Sequence, residues 1–278
     1  MRISIASGKG GTGKTTIAVN LALSIENAQY LDCDVEEPNG HIFLRPEITE
    51  EKIVTLPYPR VDESKCDFCG ECVEVCEFGA LAVLKKQVLV FDDLCHSCGA
   101  CVLLCPQKAF FEVPQEIGRI EIGQSGRVSF VQGKLKLGST RSHPLVQEVK
   151  KYIDSSRVAI LDAPPGTSCP VVEAVRDTDF TLWVTEPTPF GLNDLKLAVA
   201  MNREIGVPGG IIVNRSDGRD TLIEAFAASE QIPILLRIPL DRKIAESYSK
   251  GEPLVKMDPR YREIFRNLFK DVQARVAS

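Results

Sequence analysis

Two groups of residues in this chain have types and spacings suited to chemistry. The first is Gly8-Lys9-Gly10-Gly11-Thr12-Gly13-Lys14-Thr15, with Thr16 after it, which fits G-x-x-x-x-G-K-[ST]. Glycines let such a loop curl until its backbone N–H groups point at phosphate oxygens, with a helix N-terminus beneath. In that arrangement Gly8, Gly10, Gly11, Thr12, Gly13 and Thr16 cradle phosphate. Lys14 brings positive charge to the terminal phosphates, and the Thr15 hydroxyl can ligate Mg²⁺. A structural glycine turn is the competing reading. Against it, the loop follows an apolar strand and opens an amphipathic helix, the context that phosphate binding requires.

The second group is thiol. Eight of the 10 cysteines fall between residues 66 and 105. A disulfide framework would need a secretory signal, and Met1-Arg2-Ile3-Ser4-Ile5 opens a strand instead. In a reducing cytoplasm, tightly grouped thiols read as metal ligands. Residues 66–81 and 95–110 repeat at an offset of 29, with seven identities in sixteen positions. Cys66-x2-Cys69-x2-Cys72-x3-Cys76 and Cys95-x2-Cys98-x2-Cys101-x3-Cys105-Pro106 match the bacterial two-cluster ferredoxin run. In that pattern three thiolates of one run hold three corners of a 4Fe–4S cubane, and the fourth cysteine begins a helix pointing at the other cluster. The resemblance assigns Cys66, Cys69, Cys72 and Cys105 to one cluster and Cys95, Cys98, Cys101 and Cys76 to the second. Zinc also suits CxxC pairs, but it needs neither a third evenly spaced thiol nor an exchanged fourth. Glu77 replaces the proline of the second run, which is expected to lower one potential without removing a ligand.

The remaining candidates are weaker. Cys33 reads as a small buried filler and Cys169 as structural or redox-passive. His41 and His143 show no metal spacing, and His96 reads as a solvated loop residue.

These groups must be positioned by a larger fold. Ile3–Ser7 reads as a strand, Lys14–Ile25 as a helix and Gln29–Cys33 as a strand. Downstream, strands are expected at 157–161, 180–184, 210–213 and 234–238, with helices at 142–153, 192–204, 221–229 and 259–276. Continuous apolar strands separated by helices mark a parallel sheet covered on both faces. Residues 119–122, 127–131 and 134–137 alternate polar and apolar, with Gly123, Gly126 and Gly133 between them, and read as hairpins. The expected fold is α/β, a doubly wound, mainly parallel P-loop NTPase sheet with an inserted small α+β bacterial-ferredoxin-like domain. The ATPase part would cover 1–56 and 112–278, and the insert 57–111.

Lys9, before the paired glycines, makes the loop KGGTGKT. This resembles the deviant P-loop family of MinD, ParA, the nitrogenase iron protein and the Mrp-type iron–sulfur carriers. The resemblance implies that Lys9 reaches across a dimer interface to the partner's nucleotide. Asp32-Cys33-Asp34 resembles the first switch, where a carboxylate can help order Mg²⁺ and the attacking water, Asp34 being the better candidate for the water. Ala159 to Gly166 resembles the second switch, with Asp162 holding Mg²⁺ through water. Asn214, Arg215 and Pro239 stand where the family reads adenine. Taken whole, the chain looks like a MinD-superfamily ATPase containing a ferredoxin domain.

The implied cofactors are ATP or ADP, Mg²⁺ and two 4Fe–4S clusters. The implied partners are a second copy or a similar ATPase, joined through ATP, and an unidentified acceptor of electrons or clusters. Electron delivery and cluster or metal-cofactor assembly are the leading functions. A MinD/ParA-type positioning ATPase with redox-sensing clusters and a cobyrinic-acid-synthase-like amide-forming enzyme are the alternatives. With 33 Lys plus Arg against 38 Asp plus Glu, the net charge of −5 gives no footprint for nucleic acid. A cytoplasmic protein is expected. The terminal helix is expected to pack on the sheet, with membrane binding as the alternative.

Overall fold

A computed structural model describes residues 1–277. The chain divides into two compact units: 1–52, 120–134 and 142 onward form the first, and 53–119 with 135–141 the second. In chain order the elements are β1 (Arg2–Ser7), α1 (Lys14–Ser24), β2 (Ala28–Asp32), α2 (Gly40–Leu44), β3 (Glu47–Val61), α3 (Glu71–Glu74), β4 (Leu81–Leu84) and β5 (Gln87–Val90). Then come α4 (Ala100–Leu103), β6 (Phe110–Ser125), β7 (Val128–Leu135), α5 (Ser142–Lys150), β8 (Val158–Pro165), α6 (Cys169–Val175) and β9 (Phe180–Thr185). The last are α7 (Pro189–Ile205), β10 (Gly209–Ser216), α8 (Thr221–Ser229), β11 (Ile234–Pro239), α9 (Arg242–Ser249), α10 (Leu254–Met257) and α11 (Arg260–Val276).

The strand order is β11-β10-β9-β1-β8-β2-β7-β6-β3, and every pairing from β11 across to β7 is parallel. Because side chains alternate along a strand, each face of this sheet has its own helices. Ile3 and Ile5 of β1, Tyr30, Ile160 and Leu182 join Ile17 and Leu21 of α1 and Phe265, Leu268 and Val272 of α11 in one core. Ser4, between the two isoleucines, turns the other way, its hydroxyl 2.9 Å from that of Thr181. Each large apolar side chain buried here contributes about 1.5–3 kcal/mol. The apolar face of α11 is thus taken up by the core. Its polar side caps α1: Arg262 and Arg266 donate to the carbonyls of Leu23 and Ser24, at 2.8 and 3.2 Å.

Two parts of the sequence reading change. The expected three short hairpin strands are two long ones, β6 and β7. Only Gly126 turns, with φ +55°. Gly123 lies inside β6, where a Cβ would collide with the backbone carbonyl of Glu47, and Gly133 lies inside β7 against Val35. Both are close-approach glycines, not turn glycines. β3 was not foreseen, because Pro57, Pro59 and its many charges mask a strand pattern. At the end of the strand order, an edge strand tolerates both.

The second unit is built on an internal two-fold. Positive φ recurs 29 residues apart at Phe68 and Ser97, at Gly70 and Gly99, and at Gly79 and Lys108. The Ala80 N–H donates to Cys76 Sγ at 3.3 Å and the Ala109 N–H to Cys105 Sγ at 3.4 Å. Phe91 N–H to Ala80 O and Asp62 N–H to Ala109 O are likewise matched, each 2.8 Å. The antiparallel β4–β5 hairpin closes one half, and Leu81, Val88 and Phe110 form the small core. Cys76 and Cys105 follow the short helices α3 and α4; neither begins one.

Candidate functional site

The phosphate loop runs from the end of buried β1 to the start of α1, and Gly13 takes the cap position in the left-handed region, φ 97°. It opens on a cavity of about 360 Å³, in the size range of small-ligand sites. Gly10, Gly11, Gly13, Lys14, Thr15 and Thr16 form its floor, and Asp34, Asn214, Arg215 and Pro239 its walls. The parallel sheet explains the convergence, since all these residues lie at or beyond the carboxyl ends of neighbouring strands. Helix α9 supplies Ile244, Ala245 and Tyr248, with Asp241 capping it through the Lys243 N–H at 2.8 Å. Sequence reasoning missed this helix; the Leu240-Asp241 cap after Pro239 was its available signal.

Four predicted residues do not line the cavity. Gly8 packs so closely on the Asp194 carbonyl that a Cβ would collide with it. Thr12 is buried and its carbonyl accepts from Asn214 Nδ2 at 2.7 Å, so that amide braces the loop. Lys9 points to Glu186, 3.9 Å away, and Glu186 also pairs with Arg215 at 2.6 Å. Asp162 is fully buried behind the loop. Gly13→Ala should therefore cost about 1–3 kcal/mol, because its φ is strained for alanine and the new methyl strikes Asn214. The measurement is the thermal midpoint, expected several degrees lower; an unchanged midpoint would refute the tight-loop account.

The electrostatics favour a divalent cation. Asp34 is pushed up to about 7 by burial, then by Asp162, with Lys14 opposing. Burial also raises Asp162, against the Thr15 hydroxyl, the Lys14 ammonium and the Tyr30 phenol. Asp162 Oδ1 is buried with no hydrogen-bond partner. An orphaned carboxylate oxygen beside a threonine fits Mg²⁺ held largely through water and phosphate. That ion keeps several waters and seldom uses an all-protein cage.

In the second unit, one cavity is lined by Cys66, Cys69, Cys72 and Cys105, and another by Cys95, Cys98, Cys101 and Cys76. Among the described residues no three Cys, His, Asp or Glu side chains gather tightly enough for a single metal ion. Four thiols spread round a cavity suit the corners of a cubane better than one zinc ion. The flanks differ. Gln107 donates to Asp67 at 2.9 Å beside the first cavity. At the positions related by 29, Phe78 and His96 stack beside the second, centroids 3.7 Å apart. Cys33 is wholly buried and its thiol raised by burial, whereas Cys169 is exposed.

The glycine-rich loop between β1 and α1 and the mostly parallel sheet define a P-loop NTPase of the α/β kind. The CobQ/CobB/MinD/ParA nucleotide-binding domain matches residues 3–254, and the chain belongs to that family. An uncharacterized protein of Methanocaldococcus jannaschii is 32% identical over 262 residues, 92% of each chain. An iron–sulfur cluster carrier protein of Aquifex aeolicus is 27% identical across 92% of this chain and 62% of its own length. The septum site-determining protein MinD of Pyrococcus horikoshii, solved with Mg-ADP, shares the fold. Its TM-score is 0.58 at 22% identity, over 98% of this chain and 95% of that one.

Proposed function

We propose that the protein is a Mg-ATP-dependent ATPase whose nucleotide cycle acts on two resident 4Fe–4S clusters, for electron delivery. The observation that carries this reading is the pair of four-thiol cavities, each completed by a cysteine from the other run, in a chain with a P-loop. Eight ligands for two cubanes suit permanent clusters, which pass electrons. Cluster assembly is the second reading, favoured by relatives named iron–sulfur cluster carrier proteins in Aquifex aeolicus and Methanocaldococcus jannaschii.

In the ATPase site Lys14 neutralises terminal phosphate, Thr15 and Asp162 serve Mg²⁺, and Asp34 orients the attacking water. Gly10, Gly11, Gly13 and Thr16 line the phosphates, and Asn214, Arg215 and Pro239 wall the base. Lys9 stays out of its own cavity, which supports a role at the nucleotide of a second copy or a similar ATPase. Bound clusters would supply one-electron chemistry. The chain contributes the thiols and the Ala80 and Ala109 N–H groups on sulfur.

Nucleotide state should change the cluster potentials, because β3, the strand that enters the second unit, follows Asp34 by way of α2. The expected shift between the ADP state and a hydrolysis-blocked ATP state is about 30–60 mV, only about 0.7–1.4 kcal/mol for one electron. Redox titration followed by electron paramagnetic resonance measures it. Identical potentials would break the coupling, and absence of iron would remove the reading.

A further inference from the structure

Tyr30 lies on β2, two residues before Asp32 and therefore on the same face of the strand. Asp32 is in register with Asp162 on β8. The phenol is wholly buried, its ring stacked on Phe130 with centroids 5.8 Å apart and planes 10° apart. Its oxygen is 2.9 Å from Asp162 Oδ2 and 3.4 Å from Asp32 Oδ2. A phenol has one proton to donate, and the shorter contact takes it.

The two carboxylates are held differently. Asp32 accepts from backbone, the Gly40 N–H at 2.9 Å and the Asp34 N–H at 3.2 Å. Asp162 Oδ2 has the phenol; its Oδ1 is buried without a partner in hydrogen-bond geometry, and the Thr15 hydroxyl stands close to the carboxylate. Gly40 keeps the phenol's place open, since a Cβ there would collide with the phenol oxygen.

We propose that Tyr30 is a positioning residue for the metal side of the nucleotide site, fixing Asp162 through Oδ2 so that Oδ1 is presented to the water shell of Mg²⁺. The proposal rests on the ATPase reading given above. A hydrogen bond behind a directly ligating side chain is worth about 10- to 100-fold in metal affinity, and because Asp162 acts through water the low end of that range applies here. A core tyrosine that merely satisfied its hydroxyl would lack this consequence. It would contribute to stability, whether or not Mg²⁺ was present.

The test uses Tyr30→Phe, which keeps the ring and its stack and removes only the hydroxyl. A fluorescent ATP analogue is bound to the full chain and Mg²⁺ is titrated in. The variant should need about 10-fold more Mg²⁺ for half-saturation, while analogue binding in excess chelator stays at the wild-type level. Gly40→Ala, whose methyl displaces the phenol, should reproduce the shift should Tyr30→Phe fail to fold. Phe130→Leu loses the stack and keeps the phenol, so it should lower the thermal midpoint and leave the Mg²⁺ midpoint alone. A wild-type Mg²⁺ midpoint in Tyr30→Phe, or equal losses with and without Mg²⁺, would overturn the role of Tyr30 alone. No analogue binding by the wild-type chain under any condition would overturn the ATPase reading and this proposal with it.

Discussion

Lys14→Ala should abolish measurable Mg-ATP binding, an affinity loss of at least about 100-fold. Lys14 as a whole is only 6% exposed and lines the cavity, where bonds to phosphate form away from bulk water. A hydrogen bond to a charged group is worth about 1.5–3 kcal/mol, and an ammonium can make more than one to a polyphosphate. A second effect acts in the same direction. Lys14 holds down the carboxyl pKa values of both Asp34 and Asp162. Without it both carboxyls are driven further toward their protonated forms, which serve Mg²⁺ less well. Calorimetric titration with Mg-ATP is the measurement, and an affinity close to wild type would refute the phosphate-loop assignment.

Cys76→Ser should lower anaerobic iron from about eight to about four atoms per chain. The cluster lost should be the one in the cavity with Cys95, Cys98 and Cys101, where Cys76 is the fourth thiol. The cavity of Cys66, Cys69 and Cys72 is completed by Cys105 and should keep its cubane. Iron analysis gives the count, and electron paramagnetic resonance distinguishes the surviving cluster. Loss of the cluster beside Cys66 with retention of the other would refute the exchanged ligation. Two zinc ions and no visible absorption would refute clusters altogether.

The phosphate loop and thiol runs were legible in sequence because their chemistry is local. KGGTGKT and the cysteine triplets place their donors within a few residues of one another. Strands such as Phe180–Thr185, buried at every position, announce themselves by unbroken apolar character. The phenol of Tyr30 was illegible, because its partner Asp162 lies 132 residues away and meets it only through the β2–β8 register. Tyr248 and Ile244 were missed for a related reason. Helix α9 is short and charged, and its turn toward the cavity depends on where β11 ends. Gly123 and Gly133 looked like turns since a glycine's composition signal is the same whether it bends the chain or admits a neighbour.

The crossing of the fourth cysteines also fixes an order of events during synthesis. As the chain emerges from its N-terminus, the first run offers three thiols for its own cavity, and Cys76 belongs to a cavity whose other ligands do not yet exist. No four-thiol set is complete until Cys101, and the other becomes complete at Cys105, four residues later. The two thiol sets are therefore completed almost together along the chain. A ribosome-bound fragment ending after the first run carries three of the four thiols of one cavity and one of the four of the other.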